Sequence, residues 1–380
     1  MEKERSIKIA VNTRFLIKDK LEGIGWFSYN ILKELVETHP EVEFYFIFDR
    51  PCDAQFIFSK NVTPVLVSPP ARHPFLWYIW FELALPKALK KINPDVFLSL
   101  DAYTSISANV KKVTVFHDIA FAFFDGHVPF LVEKFMRYFT PKYLKVSNEV
   151  VTVSESSKKD LISHYNCEPH KIWVSCNASS PVYRPINNDE KIVFQEQNTD
   201  AHPYFIFVGS IHPRKNVINL LKAFELFKKT DEKSMKLVII GRFAWQFEAV
   251  KAYYNTMVFN EDVIFVNHLA QDALQKWVAA AEALIYVPFY EGFGIPLIEA
   301  MSCQIPIVCS NSSSMPEVTQ NAAIHVSPHD INEIAIAMQE VLDENRKKIL
   351  IANGQEQIKK YTWAKGADIV WKALTRAIEK

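Results

Sequence analysis

Glycine is scarce in this sequence. It supplies nine of 380 residues, roughly a third of its usual share in soluble proteins, so the position of each glycine is informative. The five cysteines are scattered and form no CxxC pair, which argues against a structural zinc site and a disulfide framework. Basic and acidic residues balance at 43 each. Because a nucleic-acid partner requires a basic face, we expect no such partner.

Long apolar runs are absent as well. No stretch approaches the run of about 18 apolar residues that a membrane-spanning helix requires. The first residues, MEKERSIKIA, lack the apolar core of a signal peptide. We therefore expect a cytoplasmic protein, and a position at the inner face of the plasma membrane stays open. The length predicts two domains, and a hydrophobic content of 49% suffices for two cores.

Short apolar runs rich in β-branched residues alternate with longer amphipathic segments. The predicted strands are 7–12, 43–48, 64–67, 95–100, 112–117, 149–154, 204–210, 236–241, 262–267, 283–289 and 306–310. The predicted helices are 25–38, 75–92, 130–146, 156–165 and 216–229, with a last helix at 361–380. Apolar strands separated by helices predict parallel sheets that are covered on both faces.

Two blocks of this kind predict an α/β protein with two doubly wound, Rossmann-like domains. We place the domains at 1–190 and 200–360, and we expect the helix at 361–380 to return to the first domain. The polar stretch PINNDEKIVFQEQNTDAHP, at 185–203, lies between the blocks and predicts the boundary.

Two of the nine glycines lie in the stretch PFYEGFGIPLIEAM at 288–301, between Glu291 and Glu299. An apolar run precedes them, and Pro296 suits the first turn of a following helix. A helix N-terminus at the carboxyl edge of a parallel sheet binds phosphate, and carboxylates accept hydrogen bonds from sugar hydroxyls. The stretch therefore predicts a nucleotide-sugar site. The alternative is an ordinary strand–helix turn with solvated glutamates.

This stretch, continued through SCQIPIVCSNSSSMPEV, resembles the donor-site signature of the retaining, group 1 glycosyltransferases of family four, which have the GT-B fold. Four more segments resemble the family in the family's order. They are GIGWFSYNIL (23–32), TVFHDIAF (114–121), VVTVSESSKKDL (150–161) and VGSIHPRKNVINLLKAF (208–224). The resemblance implies two facing Rossmann-like domains with a cleft between them. It further implies an acceptor-binding first domain and a second domain that binds the nucleotide sugar.

The resemblance also implies roles for individual residues. Glu299 would bind the ribose, and Glu291 would hold the transferred sugar with the backbone amides at 293–295. Arg214 and Lys215 would neutralise the diphosphate, and His117 would lie near the reacting carbon. The implied donor-binding residues are Gly23, Gly25, Gly209, Phe293, Gly294, Ile295 and Glu299.

One position departs from the family pattern. Many relatives have an arginine directly after the glycine that corresponds to Gly209, whereas this chain has Ser210. We therefore expect neutralisation of the diphosphate to depend more strongly on the cations Arg214 and Lys215. No DxD motif lies in a plausible loop, so the resemblance implies a metal-independent enzyme, and we expect no cofactor.

The implied reaction is hexose transfer from a nucleotide sugar to a glycan or a lipid-linked saccharide, in polysaccharide or O-antigen synthesis. GDP-mannose is the preferred donor, because RHPFLWYIWFELALP and TVFHDIAF resemble mannosyltransferase members, and UDP-sugars stay open. The alternatives are a GT-B epimerase, a phosphorylase and a catalytically silent partner subunit. A phosphorylase would carry a pyridoxal lysine, and no local signature for one is visible.

Other candidates have simpler interpretations. His117-Asp118 alone does not indicate a metal phosphohydrolase, because the other histidines of such a site are not recognisable. Cys303 and Cys309 are typical of core thiols. His268 follows a predicted strand, and a place near the nucleotide base and a structural role both stay open. The aromatic and lysine-rich segment 70–91 is either a core-packing helix or an interfacial helix that makes peripheral contact with a membrane.

Overall fold

The computed structural model describes residues 6–126, 128–231, 233–244 and 247–380. The chain divides into two compact units. Unit 1 comprises Met1–Asn177 and Thr362–Lys380, and unit 2 comprises Ala178–Tyr361. In the described part of the chain, no helix combines the length and the apolar character that crossing a membrane requires.

Unit 1 contains a sheet of seven parallel strands in the order β3-β2-β1-β4-β5-β6-β7. The strands are β1 Lys8–Asn12, β2 Glu43–Phe48, β3 Val62–Leu66, β4 Val96–Ser99, β5 Lys111–Phe116, β6 Glu149–Thr152 and β7 Ile172–Val174. The central strands are buried almost completely, which agrees with their nearly continuous apolar sequences. The order of the strands reverses between β1 and β4, so the switch point of this sheet lies at their carboxyl ends.

The helices of unit 1 follow the predicted amphipathic segments, with one interruption. They are α1 Gly23–Thr38, α2 Pro74–Ile79, α3 Leu85–Ile92, α4 Ala120–Phe123, α5 Phe130–Val146 and α6 Glu155–Tyr165. Short 3₁₀ turns occupy Ala54–Phe56 and Pro169–Lys171. The predicted helix at 75–92 is divided into α2 and α3 by a π-helical turn at Trp80–Ala84.

Unit 2 contains six parallel strands in the order β10-β9-β8-β11-β12-β13. They are β8 Tyr204–Val208, β9 Lys236–Ile240, β10 Val263–Val266, β11 Ala283–Tyr286, β12 Ile307–Ser310 and β13 Ala323–Val326. The switch point of this sheet lies between β8 and β11. The two sheets confirm the prediction of two doubly wound α/β domains, although β7 and β13 were not predicted.

Helices lie between the strands of unit 2. They are α7 Asn188–Thr199, α8 Val217–Lys228, α9 Glu248–Tyr254, α10 Gln271–Ala279, α11 Ile295–Ser302, α12 Met315–Thr319, α13 Ile331–Glu340 and α14 Glu344–Ile358. Short 3₁₀ turns occupy Pro213–Lys215, Asn260–Asp262 and Gln320–Ala322.

The division between the units lies earlier in the chain than the predicted boundary. It falls between Asn177 and Ala178, whereas the polar stretch at 185–203 folds mainly as α7. A capping box explains this helix, because Asn187 and Glu190 each bond the other's backbone amide through their side chains. The composition of the stretch was typical of a linker, but its N-terminal signal was that of a helix.

The last helix, α15 Trp363–Glu379, belongs to unit 1, where it packs on α1. The Ser175 hydroxyl donates a hydrogen bond of 2.9 Å to the Gly366 carbonyl. A Cβ atom at Gly366 would lie 2.8 Å from the Cys176 carbonyl oxygen. Glycine is therefore required for this close contact between the helix and the strand that it covers.

Two further glycines allow the strand ends of unit 2 to approach each other. Gly241, with φ +155°, follows β9, and a Cβ atom on it would lie 2.0 Å from the carbonyl oxygen of Gly209, which follows β8. No side chain fits at that distance. The loop that leads to Arg214 and Lys215 is therefore held against its neighbour by direct backbone contact.

Candidate functional site

The candidate site of unit 2 lies at the carboxyl ends of β8 and β11, on either side of the switch point. Arg214 and Lys215 occupy the 3₁₀ turn that follows β8, and Glu291 lies in the loop that follows β11. Because both strands are central and parallel, their carboxyl ends meet at one edge of the sheet. Open α/β sheets bind ligands at this edge.

Three charged side chains form a buried cluster there. Glu291 Oε1 lies 3.1 Å from Arg214 Nη1 and forms a second ion pair with Lys215 Nζ. The Lys215 ammonium also donates a hydrogen bond of 2.7 Å to the hydroxyl of Tyr286, the last residue of β11. The three charged side chains are only 11% to 12% exposed. The structure therefore brings together three of the predicted site residues.

The charge on Glu291 is fixed by its neighbours. Burial alone would raise the pKa of this carboxyl, but the charges of Arg214 and Lys215 and hydrogen bonds from Lys215 and Tyr286 lower it to about 2. Burial raises the pKa of Tyr286 well above its usual value. At neutral pH the cluster thus contains two cations and one carboxylate, and the remaining positive charge attracts an anionic ligand.

A run of serines holds the loop that contains Glu291. Four of the five residues at 310–314 are serines, and each of the four bonds the backbone of 288–293. The contacts are Ser310 Oγ to Pro288 O (2.6 Å), Ser312 Oγ to Phe289 O (3.2 Å), Glu291 N to Ser313 Oγ (3.0 Å), and Ser314 Oγ to Glu291 O and Phe293 O (3.0 Å each). These contacts fix the position of the Glu291 backbone from both sides.

Direct bonds also join this loop to the loop after β8. The Phe289 amide donates to the Arg214 carbonyl at 2.9 Å, and Arg214 Nη1 lies 2.5 Å from the Tyr290 carbonyl. The Asn216 side-chain amide donates to the carbonyls of Val287, at 2.9 Å, and Pro328, at 2.7 Å. Asn216 therefore ties together the loops after β8, β11 and β13.

Helix α11 begins next to this cluster. Its N-cap, Gly294, has φ +94°, and a Cβ atom there would lie 2.9 Å from Leu297 Cδ1. Ile295 and Pro296 form the first turn, where backbone amides lack partners within the helix. Phe293 is buried, and its ring packs edge-on against Tyr361 with centroids 5.5 Å apart. The structure therefore places the N-terminus of a helix after Gly294, as predicted, and the anion site there stays a prediction.

Glu299 lies one turn into α11 and is 8% exposed. Burial raises the pKa of its carboxyl to about 7, although a hydrogen bond with Tyr183 opposes the shift. Tyr183 is itself buried, and burial together with the Glu299 charge raises its pKa. The sequence analysis did not predict Tyr183, which lies outside every recognised segment.

The predicted residues His117, Gly23 and Gly25 belong to unit 1. His117 Nε2 lies 2.9 Å from the Leu100 carbonyl oxygen. Because that oxygen only accepts, Nε2 is the protonated nitrogen. The ring packs against Phe27 of α1 at 4.8 Å, and burial lowers the pKa of His117 despite the Leu100 hydrogen bond. Gly23 and Gly25 form the first turn of α1.

A second buried network, which was not predicted, lies at the switch point of unit 1. Arg14 follows β1, and its Nε is 2.5 Å from Asp101 Oδ2, which follows β4. Asn12 Nδ2 donates to the other oxygen of Asp101 at 2.9 Å, and the Arg14 guanidinium lies over the Tyr103 ring at 4.5 Å. Arg14 and Asp101 each follow an apolar run in the sequence, and this placement is the signal that could have predicted the network.

The two units match two families of glycosyltransferase domains. Residues 21–178 match the family model described as Glycosyltransferase Family 4, and residues 188–361 match the one described as Glycosyl transferases group 1. Together the matches cover most of the chain, and they define it as a glycosyltransferase. More particularly, the chain carries a glycosyltransferase family 4 domain followed by a glycosyl transferases group 1 domain, and it belongs to the glycosyltransferases that these two models describe.

Similar proteins agree with this assignment. O-antigen chain mannosyltransferase B of Escherichia coli is 29% identical over 255 residues, which cover 67% of each chain. A solved glycosyltransferase from Rickettsia africae ESF-5 has a TM-score of 0.74 at 15% identity and covers 99% of this chain and 100% of its own. Anabaena HepE, solved with UDP-glucose, has a TM-score of 0.73 at 15% identity, with coverage of 97% and 100%. The predicted GT-B fold class is confirmed.

To bind a metal ion, the described residues would have to bring several side chains together. Within the described ranges, no group of three or more histidine, cysteine, aspartate and glutamate side chains is placed to hold a metal ion. The nearest candidates by sequence, His117 and Asp118, lie beside the backbone of Leu100 and Ala120 instead.

We predict that Ser314→Ala destabilises unit 2, because it leaves the buried carbonyls of Glu291 and Phe293 without this donor. The free energy of unfolding should fall by about 1–3 kcal/mol, measured by urea denaturation. Ser302→Ala is the matched control, because the Ser302 hydroxyl only bonds the Ile298 carbonyl within the same helix. Equal, small effects of both substitutions would show that the serine run does not hold the loop.

Proposed function

We propose that the protein is a retaining, metal-independent hexosyltransferase of cell-surface polysaccharide synthesis. Unit 2 binds the nucleotide sugar and unit 1 binds a glycan or lipid-linked saccharide acceptor. One observation carries the proposal: the Glu291 carboxylate lies between Arg214 and Lys215 at the switch point of unit 2. This arrangement offers cations for a diphosphate and a fixed carboxylate for sugar hydroxyls.

The cations act on the leaving group. Breaking the bond between the sugar and the phosphate places negative charge on the nucleoside diphosphate. Arg214, Lys215 and the first amides of α11 are fixed positive groups that stabilise this charge without reorganising. They stay in place because the loops after β8 and β11 are bonded to each other.

Glu291 positions the sugar and does not attack it. A carboxylate with a pKa of about 2 and two cationic partners is a weak base and a poor nucleophile. Retention then follows from attack on the face that the leaving group occupies. The acceptor hydroxyl bonds to the anomeric carbon, the sugar–phosphate bond breaks, and the hydroxyl proton passes to a phosphate oxygen. Glu291 holds the sugar hydroxyls during this step.

One further predicted residue of unit 2 serves the nucleotide. Glu299 accepts hydrogen bonds from the ribose. Gly209 keeps the cationic loop close to the sheet. Mannose from GDP-mannose is the preferred donor, since the similar Escherichia coli protein is a mannosyltransferase. The UDP-glucose complex of HepE supports a nucleotide sugar in general and keeps UDP-sugars as the second candidate.

A donor screen with the purified protein tests the function. We expect release of nucleoside diphosphate from one nucleotide sugar, with GDP-mannose as the leading candidate, and no loss of release when EDTA is added. Activity that requires Mg²⁺ or Mn²⁺ would contradict metal independence. Release of sugar 1-phosphate only with inorganic phosphate would indicate a phosphorylase, and no turnover of any donor would favour a silent subunit.

Arg214→Ala should lower kcat more than it raises the KM for the donor, because the interaction strengthens as charge develops. We expect a loss in kcat on the order of 10²-fold or more. Arg214→Lys should restore activity only in part, since lysine lacks the planar fork that matches phosphate oxygens. Arg346→Ala is the control, because Arg346 pairs with Glu340 on the surface of unit 2. Near-normal kcat in Arg214→Ala would refute the role.

Glu299→Ala should weaken nucleoside diphosphate binding by roughly 1–3 kcal/mol, the scale of lost charged hydrogen bonds. Because the pKa of Glu299 is about 7, its ionised fraction rises between pH 6 and pH 8, and the affinity should rise with it. Glu299→Gln should remove this part of the pH dependence and leave only that of the ligand. Calorimetry with both variants checks the prediction, and unchanged affinity in a folded Glu299→Ala protein would reject it.

A further inference from the structure

An exposed apolar surface of unit 1 is not used by the proposed reaction. Large hydrophobic side chains point to solvent from α2, from the π-helical turn and from α5. The exposed residues are Phe75 (68%), Tyr78 (47%), Leu83 (52%), Phe130 (70%), Leu131 (57%) and Tyr138 (59%). We call these six residues the aromatic face. Exposure of several large apolar side chains on neighbouring elements marks an interaction site.

Ring contacts connect the two helices of the aromatic face. Tyr78 of α2 lies 6.1 Å from Phe139 of α5, and Phe139 lies 4.9 Å from Tyr138. Beneath them, Trp77 packs against Phe135 at 5.3 Å. The exposed side chains of α2 and α5 therefore rest on one packed aromatic layer, which fixes their positions relative to each other.

Helix α5 has one buried side, and its exposed side is also partly apolar. Its buried side consists of Phe135, Thr140, Tyr143 and Leu144, and its exposed side alternates aromatic residues with lysines. Lys134 Nζ lies 5.4 Å from the centre of the Phe130 ring, and Lys142 Nζ lies 3.4 Å from that of Tyr138. The spacing of four residues places each lysine beside an exposed ring on the same face.

Six lysines lie on α5 and on α3, the helix that directly follows the π-helical turn, with three on each helix. They are Lys87, Lys90, Lys91, Lys134, Lys142 and Lys145. Within the described part of unit 1, none of the six forms an ion pair with a carboxylate. The neighbouring acids are already engaged, since Glu133 pairs with Arg137 and Glu82 accepts the amides of Ile106 and Ser107. The two helices are therefore strongly cationic.

We propose that the aromatic face docks on an anionic lipid bilayer. Exposed aromatic and leucine side chains enter the boundary between headgroups and acyl chains, where amphipathic rings are stable. Lysine stems lie along the same boundary while their ammonium groups reach the lipid phosphates. Exposed aromatic residues together with uncompensated lysines match both layers of such a membrane.

The sequence left residues 70–91 open between a core-packing helix and an interfacial helix, and the structure gives this segment both a buried side and an exposed apolar side. Trp80, Phe81, Leu85 and Leu89 are buried in unit 1, whereas Phe75, Tyr78 and Leu83 point outward. The π-helical turn shifts the register between these two sets, because it adds a residue to one turn.

The charge of the face favours a bilayer over a second copy of the chain. A symmetric dimer places the same patch of both subunits in contact, so two lysine-rich surfaces would approach each other. An anionic lipid surface supplies the missing charge at every lysine. The occupant that the surface fits is therefore a membrane with acidic headgroups.

Cosedimentation with vesicles tests the proposal without reference to catalysis. The full-length protein should bind vesicles of phosphatidylcholine with phosphatidylglycerol and should not bind phosphatidylcholine alone. Two triple variants should lose binding, Phe130→Ser with Leu131→Ser and Tyr138→Ser, and Lys134→Gln with Lys142→Gln and Lys145→Gln. We expect the lysine variant to lose on the order of 100-fold, since each lysine near an anionic surface contributes about fivefold.

A matched control lies on unit 2. Val258, Ile336 and Ile349 are also exposed, at 80%, 62% and 53%, and their triple serine variant should bind vesicles like the unchanged protein. Circular dichroism and thermal unfolding check that every variant is folded. The proposal is overturned if the unchanged protein ignores anionic vesicles, or if a folded face variant binds as well as the control. Loss of a dimer or of glycan binding instead of vesicle binding would assign the face to another partner.

Discussion

The position of the candidate site depends on one buried interaction, the pairing of Glu291 with Arg214 and Lys215. Removing three charges from water is costly, and their mutual attraction offsets the cost only when the geometry is fixed. Removing the carboxylate or the cations would leave a buried charge without a partner of opposite charge. The loops after β8 and β11 must therefore remain in contact, and the hydrogen bonds of Asn216 and of the serines at 310–314 maintain that contact.

The scarcity of glycine fits this requirement. Gly241 occurs where its backbone lies too close to that of Gly209 for any side chain, and Gly294 occurs where the chain turns into α11 with positive φ. A loop that is anchored by side-chain hydrogen bonds loses little entropy when it binds a ligand.

Much of the fold was predictable because buried parallel strands have nearly continuous apolar sequences, as β5 and β9 do. Strand β7 is only three residues long, and β13 contains His325, so neither carried that signal. The polar composition of 185–203 predicts a linker, whereas the capping box at Asn187 and Glu190 is the signal of helix α7. Each charged residue of the site could be predicted on its own, because it lies shortly after a predicted strand. The partners Tyr286, Tyr183 and Ser314 could not be predicted, because only the folded chain brings them next to those residues.

Under the proposed function, the ion cluster couples the two halves of the donor. Before binding, Glu291 compensates part of the charge of Arg214 and Lys215, so the cations are stable in a buried position. A diphosphate brings more negative charge to the same cations, and their attraction is then shared between phosphate and carboxylate. The oxygens of Glu291 become better acceptors for sugar hydroxyls as this sharing proceeds. Binding of the diphosphate and orientation of the sugar are thus consequences of one electrostatic balance.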